Sequence, residues 1–156
     1  NSEFARHEDG SLAGWENAET APGDATFEAG DGKLTYSVEN VGEADWNIQL
    51  KQMGLSLEQG ESYTLKCTLV SDVDRVVKVA VMTPSAGYAW HGGEDVVLTA
   101  GEAKDVTLTI TPKEEVFTDG ITVDTGAGLF FSMGYVEGYT LGAHTVSISN
   151  VSFVKN

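Results

Sequence analysis

Apolar and polar residues alternate with period two along most of the chain, and glycines and acids bound the alternating runs. That is the pattern of half-buried β-strands. Leu34, Tyr36 and Val38 alternate with Lys33, Thr35, Ser37 and Glu39. Ile48 and Leu50 alternate with Asn47, Gln49 and Lys51, and Tyr63, Leu65, Cys67 and Leu69 with Thr64, Lys66 and Thr68. Val77, Val79 and Val81 are set against Lys78, Ala80 and Met82; Val106, Leu108 and Ile110 against Asp105, Thr107, Thr109 and Thr111. Leu129, Phe131 and Met133 alternate with Phe130, Ser132 and Gly134. In the last run Val146 and Ile148 lead, and the parity then slips to Val151 and Phe153, which predicts a bulge around Asn150. No segment carries an apolar stripe at helical spacing. The nearest candidate, residues 53–61, is short and holds Gly54 and Gly60. The pattern predicts an all-β domain of roughly nine or ten strands folded as a sandwich of two sheets. The apolar parity of each strand faces the other sheet and the polar parity faces outward, so a ligand must be met by one polar face or by loops.

Composition narrows the function classes. The chain has 156 residues, the size of one domain. It carries 24 acids against 9 bases, a formal charge of −15, which would repel a nucleic acid. A hydrophobic content of 41% is too high for a solvated disordered tail, and no run of about eighteen apolar residues marks a membrane-spanning helix. The one cysteine, Cys67, excludes an intrachain disulfide and a cysteine-rich zinc cluster. By parity Cys67 belongs to the core. The chain begins at Asn1 without methionine or signal peptide, so residues 1–156 read as a single module excised from a longer protein. Its acidic, cysteine-poor, glycine-rich character fits a bacterial extracellular setting.

Catalytic readings find little support. With 24 carboxylates some pair falls at glycosidase distance in any fold, so the count argues nothing. Glu94-Asp95, Glu114-Glu115 and Asp72 with Asp74 read as turn acids. No Gly-x-Ser-x-Gly turn exists for a nucleophile, and His7, His91 and His144 lack metal-ligand spacing. Asn150-Val151-Ser152 matches a glycosylation acceptor but falls within a strand.

Several local patterns occur in a telling order. Asn1-Ser2-Glu3-Phe4 is followed by Gly14-Trp15, the run from Trp46 to Gln52, then Leu57, Gly60 and Tyr63-Thr64-Leu65. After these come Arg75, Val81, Tyr88, Val97-Leu98-Thr99, the run from Phe130 to Gly134, and the run from Thr145 to Phe153. In this order and spacing the chain resembles the jelly-roll carbohydrate-binding modules of families four, nine, sixteen and twenty-two, over nearly its whole length. The resemblance implies a jelly-roll β-sandwich of two antiparallel sheets whose concave face holds a β-glycan chain. It implies a non-catalytic module, secreted or attached to the cell surface. Such a module targets a glycoside hydrolase in the same polypeptide, such as a xylanase, to polysaccharide. The family's last strand carries an acid before Asn-Val, associated with a structural calcium. Here the triplet is Ser149-Asn150-Val151, and the often acidic position 5 is Ala5, so two hard ligands are lacking where calcium wants oxygens with carboxylates among them; no cofactor is required, and a structural calcium stays open.

Sugar rings offer apolar C–H faces and a polar rim, so a site for them needs aromatic platforms and side chains that donate and accept hydrogen bonds. Tyr88, Trp90 and His91 stand in a glycine-rich segment, residues 85–93, that reads as a loop. Tyr88 and Trp90 are the expected platforms. Trp46 falls by parity on the buried side with Ile48, yet it stands at the strand's mouth where relatives present an aromatic to ligand; both readings stay open. Trp15 reads as structural. Asn47, Gln49 and Lys51 share one outward face, Lys78 stands on another, and Phe130 and Ser132 on a third. In the resembling modules these strands form the binding sheet, with a basic residue at the position of Lys78 and an aromatic ten residues on, here Tyr88. Relatives often carry Gln where Ser132 stands. The uneven spacing of the aromatics favours a groove over a flat platform, and xylan or a related β-1,4 hemicellulose is the expected ligand. The alternative is a structural or adhesive spacer, in which Tyr88, Trp90 and Phe130 would pack inward.

Overall fold

Among the residues that the computed structural model describes, Phe4, His7, Glu8 and 12–156, ten strands form. They are β1 (Glu16–Glu19), β2 (Asp24–Gly30), β3 (Lys33–Asn40), β4 (Ile48–Glu58), β5 (Tyr63–Ser71), β6 (Arg75–Thr83), β7 (Ala89–Leu98), β8 (Lys104–Ile110), β9 (Val123–Ser132) and β10 (His144–Lys155). They pair antiparallel into two five-stranded sheets, β1-β4-β9-β6-β7 and β2-β3-β10-β5-β8. The Asn1-Ser2-Glu3 start of the family pattern and Ala5 lie outside the described residues.

The core is the apolar parity of both sheets. Ile48, Leu50, Val77, Val79, Val81, Leu129 and Phe131 come from the first; Leu34, Tyr36, Val38, Leu65, Cys67, Leu69, Val146 and Ile148 come from the second. All are at most 2% exposed. Burying one such side chain stabilises by about 1.5–3 kcal/mol relative to leaving it in water. Burial pushes the Cys67 thiol up to about 12, which makes it an inert core residue. Trp15 packs between Phe4 and Phe131 with ring centroids 5.2 and 6.2 Å away, as its structural reading expects. Tyr36 is enclosed, and its hydroxyl donates to Asn17 Oδ1 at 2.6 Å across the sheets.

The parity slip in β10 is a bulge. The β10–β5 register shifts between Ser149 and Ser152, and Asn150 takes the left-handed φ of 52°. Residues 53–58 continue β4, which bends through two register shifts, at Met53/Leu55 and Leu55/Leu57. The expected loop over residues 85–93 is corrected by the structure. A 3-10 turn at Pro84–Ala86 leads into β7, which already begins at Ala89. Gly92 and Gly93 serve close packing inside that strand: a methyl on Gly92 would lie 2.9 Å from Ile110 Cδ1, and one on Gly93 3.0 Å from Ala80 Cβ. The turn acids Glu94 and Asp95 are likewise strand residues.

Phe131 is fully enclosed on the central strand β9 and contacts Trp15. Phe131→Ala is expected to lower the urea-unfolding free energy by about 3–5 kcal/mol through lost burial and a residual cavity. A loss below about 1 kcal/mol would contradict this placement of the core.

Candidate functional site

Register places three rows of side chains across the outer face of the first sheet. One row runs Ala18, Gln49, Ser132, Lys78, Asp95, from β1 to β7. The next runs Glu16, Lys51, Phe130, Ala80, Gly93, and the third Met53, Gly128, Met82, Trp90. A groove of about 990 Å³ lies over them, lined among others by Trp46, Gln49, Lys51, Lys78, Met82, Tyr88, Trp90 and Ser132. The small residues Ala18, Ala80 and Gly93 also line it; with no long side chain at these positions, the sheet backbone is open to a ligand.

Trp46 stands at one end. The strand alternation stops short of it, because residues Asp45–Asn47 form a 3-10 turn before β4 begins at Ile48. Parity therefore does not apply, and Trp46 is 61% exposed. Asn47 is corrected with it. It is buried, off the face of Gln49 and Lys51, and its Oδ1 accepts the backbone N–H groups of Glu43 and Ala44 at 2.9 and 2.8 Å. The turn is strapped on both sides: Thr20 N–H donates to the Asn47 carbonyl at 2.9 Å, and Gly134 and Tyr135 N–H donate to those of Asp45 and Ala44 at 2.9 and 3.1 Å. A side chain at Gly134 would put its Cβ 2.6 Å from the Asp45 carbonyl oxygen and closer still to that of Ala44, so the docking needs glycine.

Behind Gly134 sits Arg75, 0% exposed. It donates to the Val76 carbonyl at 3.1 Å, to the Gly134 carbonyl at 3.0 Å and to His144 Nε2 at 2.8 Å. Desolvation lowers the guanidinium pKa to about 10, which still leaves it charged at neutral pH. Its role is positional, because it holds the segment on which the Trp46 turn docks.

Tyr88 and Trp90 stand at the other end. Tyr88 follows the Pro84–Ala86 turn and takes φ 59°, a left-handed backbone that costs a non-glycine residue roughly 1–2 kcal/mol. Its side chain is 60% exposed and that of Trp90 is 51% exposed. A β7 bulge then reverses the parity after Trp90, since Val81 pairs with Gly92 but Met82 with Trp90. His91 is the extra residue. It is buried, outside the groove lining, and so is corrected from ligand contact to anchor. Its Nδ1 accepts from Lys113 N–H at 2.9 Å, which puts the ring proton on Nε2, 2.8 Å from Thr83 Oγ1. The Thr83 hydroxyl donates to Asp124 Oδ2 at 2.5 Å. This chain ties the segment bearing both aromatics to β9.

In the floor, Gln49 Nε2 donates to Ser132 Oγ at 2.9 Å, so the shorter Ser132 orients Gln49. Lys78 is paired with Asp45 at 2.9 Å and Lys51 with Glu16 at 3.2 Å. The hydrogen bond to Asp45 raises the Lys78 pKa and keeps it cationic. Phe130 has the expected face but not the expected exposure. It is 3% exposed, and its ring reaches across Gly128, where any side chain would put its Cβ 3.0 Å from Phe130 Cε2 and nearer still to Met53 Sδ. Parity reports the face, whereas the missing side chain at Gly128 sets the depth.

Asp45 and Asp95 belong to the groove lining, and sequence reasoning missed both. Only the position of Asp45, one residue before Trp46, hinted at it. At the β10 bulge Ser149 pairs with Lys33 in the ladder and Asn150 Nδ2 donates to Thr68 Oγ1 at 3.1 Å, while position 5, the other departure from the family's calcium pattern, lies outside the described residues.

Burial is the main cause lowering the pKa of both His91 and His144. An unfolded histidine titrates near about 6.5. The stability they contribute is therefore complete above that pH and falls as the pH drops toward their lower folded values. In His144, Nδ1 donates to the Gly142 carbonyl at 2.7 Å and Nε2 accepts from Arg75. A long-range ¹H–¹⁵N NMR pH titration is expected to find both protonation midpoints below the unfolded value and, above them, His91 as the Nε2–H tautomer and His144 as the Nδ1–H tautomer. Protonation midpoints at or above the unfolded value would contradict these bonds.

The family described as Carbohydrate binding domain (CBM_4_9) matches residues 3–126. No curated protein sequence matches the chain. A solved structure described as "CBM4 structure and function" superposes with a TM-score of 0.74 at 19% identity, covering 91% of this chain and 86% of that one. The N-terminal cellulose-binding domain of Cellulomonas fimi β-1,4-glucanase C gives 0.67 at 21% identity, covering 98% and 93%. BiXyn10A CBM1 gives 0.60 at 19% identity, covering 90% and 86%. These likenesses carry the fold, a jelly-roll β-sandwich, and the family match spans most of the chain. The chain belongs to the carbohydrate binding domain family.

Proposed function

We propose that this non-catalytic domain holds a single β-glycan chain, a xylan or related β-1,4 hemicellulose, in the groove of the first sheet. In this reading it is a secreted module that brings an attached glycoside hydrolase to its polysaccharide. The observation that carries the proposal is the exposure of Trp46, Tyr88 and Trp90 around a floor of Gln49, Lys51, Lys78 and Ser132. An inert spacer has no reason to leave three large aromatics in water around one groove. Aromatic faces take the C–H faces of the sugars, and the amide, hydroxyl and ammonium groups take their rims. A groove suits one accessible chain better than a crystalline surface. The Cellulomonas fimi neighbour is named a cellulose-binding domain, so β-1,4-glucan belongs in the test.

Native electrophoresis through gels cast with soluble xylan, mannan, mixed-linkage glucan or a cellulose derivative tests this directly. The charge of −15 gives the free protein high mobility. Retardation by xylan is expected, and Tyr88→Ala or Trp90→Ala should each weaken binding about 5- to 150-fold, the equivalent of about 1–3 kcal/mol of aromatic burial. Unchanged mobility in every gel, or undiminished binding by the double variant, would contradict the proposal.

A further inference from the structure

The two ammonium groups of the groove are already engaged. Lys51 lies 3.2 Å from Glu16, and Lys78 lies 2.9 Å from Asp45. Asp95 stands opposite Lys78 in the β6–β7 ladder, and no ion pair holds it among the described residues. Two cations are thus set against the carboxylates of Glu16, Asp45 and Asp95, in a protein of net charge −15.

This arrangement distinguishes sugar substituents by what they can donate. A hydroxyl both donates and accepts, so it can bridge a carboxylate and an ammonium of the floor without displacing either. A uronate carboxylate only accepts. It can accept from a remaining ammonium N–H, but it cannot donate to Asp95, and it adds like charge beside that carboxylate and those already paired with the lysines. We propose that the groove selects uncharged glycan chains and rejects chains bearing uronate carboxylates, with Asp95 as a specificity-determining residue. The substrate class is then a neutral chain, such as a bare or arabinose-substituted xylan, and not a glucuronate-substituted one. The inference rests on the groove being the glycan site.

Calorimetric titration with paired polymers separates the two claims. One pair is a glucuronate-bearing xylan before and after reduction of its carboxyl groups; the other is carboxymethyl-cellulose and hydroxyethyl-cellulose. At low salt the anionic member of the pair that binds should be about three- to tenfold weaker. The gap should close to within about twofold in 0.5 M salt, where the screening length is only a few ångströms. Asp95→Asn should narrow the gap at low salt. Asp31→Asn, in the distant β2–β3 turn, changes the net charge equally and should leave the gap as it was. Equal affinity within a pair at low salt overturns the inference while leaving the groove reading intact. So does a gap that persists in high salt or in Asp95→Asn. No binding to either neutral polymer overturns the groove reading, and this inference with it.

Discussion

Everything in the site depends on the register of β9 between β4 and β6. A strand alternates its side chains with period two, so a slip of one residue would exchange Phe131 and Leu129 with Ser132 and Phe130. The core would receive a hydroxyl, and the groove floor would become apolar. In the observed register Ser132 lies between Gln49 and Lys78, and Phe130 between Lys51 and Ala80. The Gln49–Ser132 hydrogen bond and the fit of Phe130 and Met53 over Gly128 fit only this alignment. Core and ligand face are therefore two readings of one pairing.

The register fixes the floor, and buried polar anchors fix the aromatics above it. Arg75 and Asn47 act at the Trp46 end, His91 with Thr83 and Asp124 at the Trp90 end. Each anchor saturates backbone or side-chain groups that would be expensive to bury unpaired. Arg75 is the extreme case: a fully buried cation whose partners are two carbonyls and a neutral imidazole. Its use is geometric, since the Gly134 carbonyl it holds belongs to the residue whose N–H receives the Trp46 turn. Exposed aromatics on such anchored segments are preorganised, which reduces the conformational entropy lost on binding.

The strand faces were legible because half-buried strands must alternate. Leu34, Tyr36 and Val38 or Val77, Val79 and Val81 identify their own sheets, and even the β10 bulge announced itself as a parity slip. Gln49, Lys51, Lys78 and Ser132 followed from the same rule, and Tyr88 and Trp90 from their glycine-rich setting. The rule failed where the backbone leaves the strand period. Asn47 lies one residue before β4 begins, so it was assigned to a face that it does not share, and His91, read as a loop residue, is the extra residue of a strand bulge. Phe130 shows a different gap, since alternation gives a direction and says nothing about the neighbour that fills it. Asp95 was hidden because an acid after two glycines reads as a turn, whereas these glycines are required by Ile110 and Ala80.

The most direct test is an amide and indole NMR titration of the intact domain with xylohexaose. If the groove is the site, perturbations should concentrate on Gln49, Lys78, Asp95 and Ser132 and on the indoles of Trp46 and Trp90, with the Trp15 indole unmoved. Perturbations gathered instead on the outer face of the second sheet, around Lys66, Thr107 and Ser147, would contradict the account.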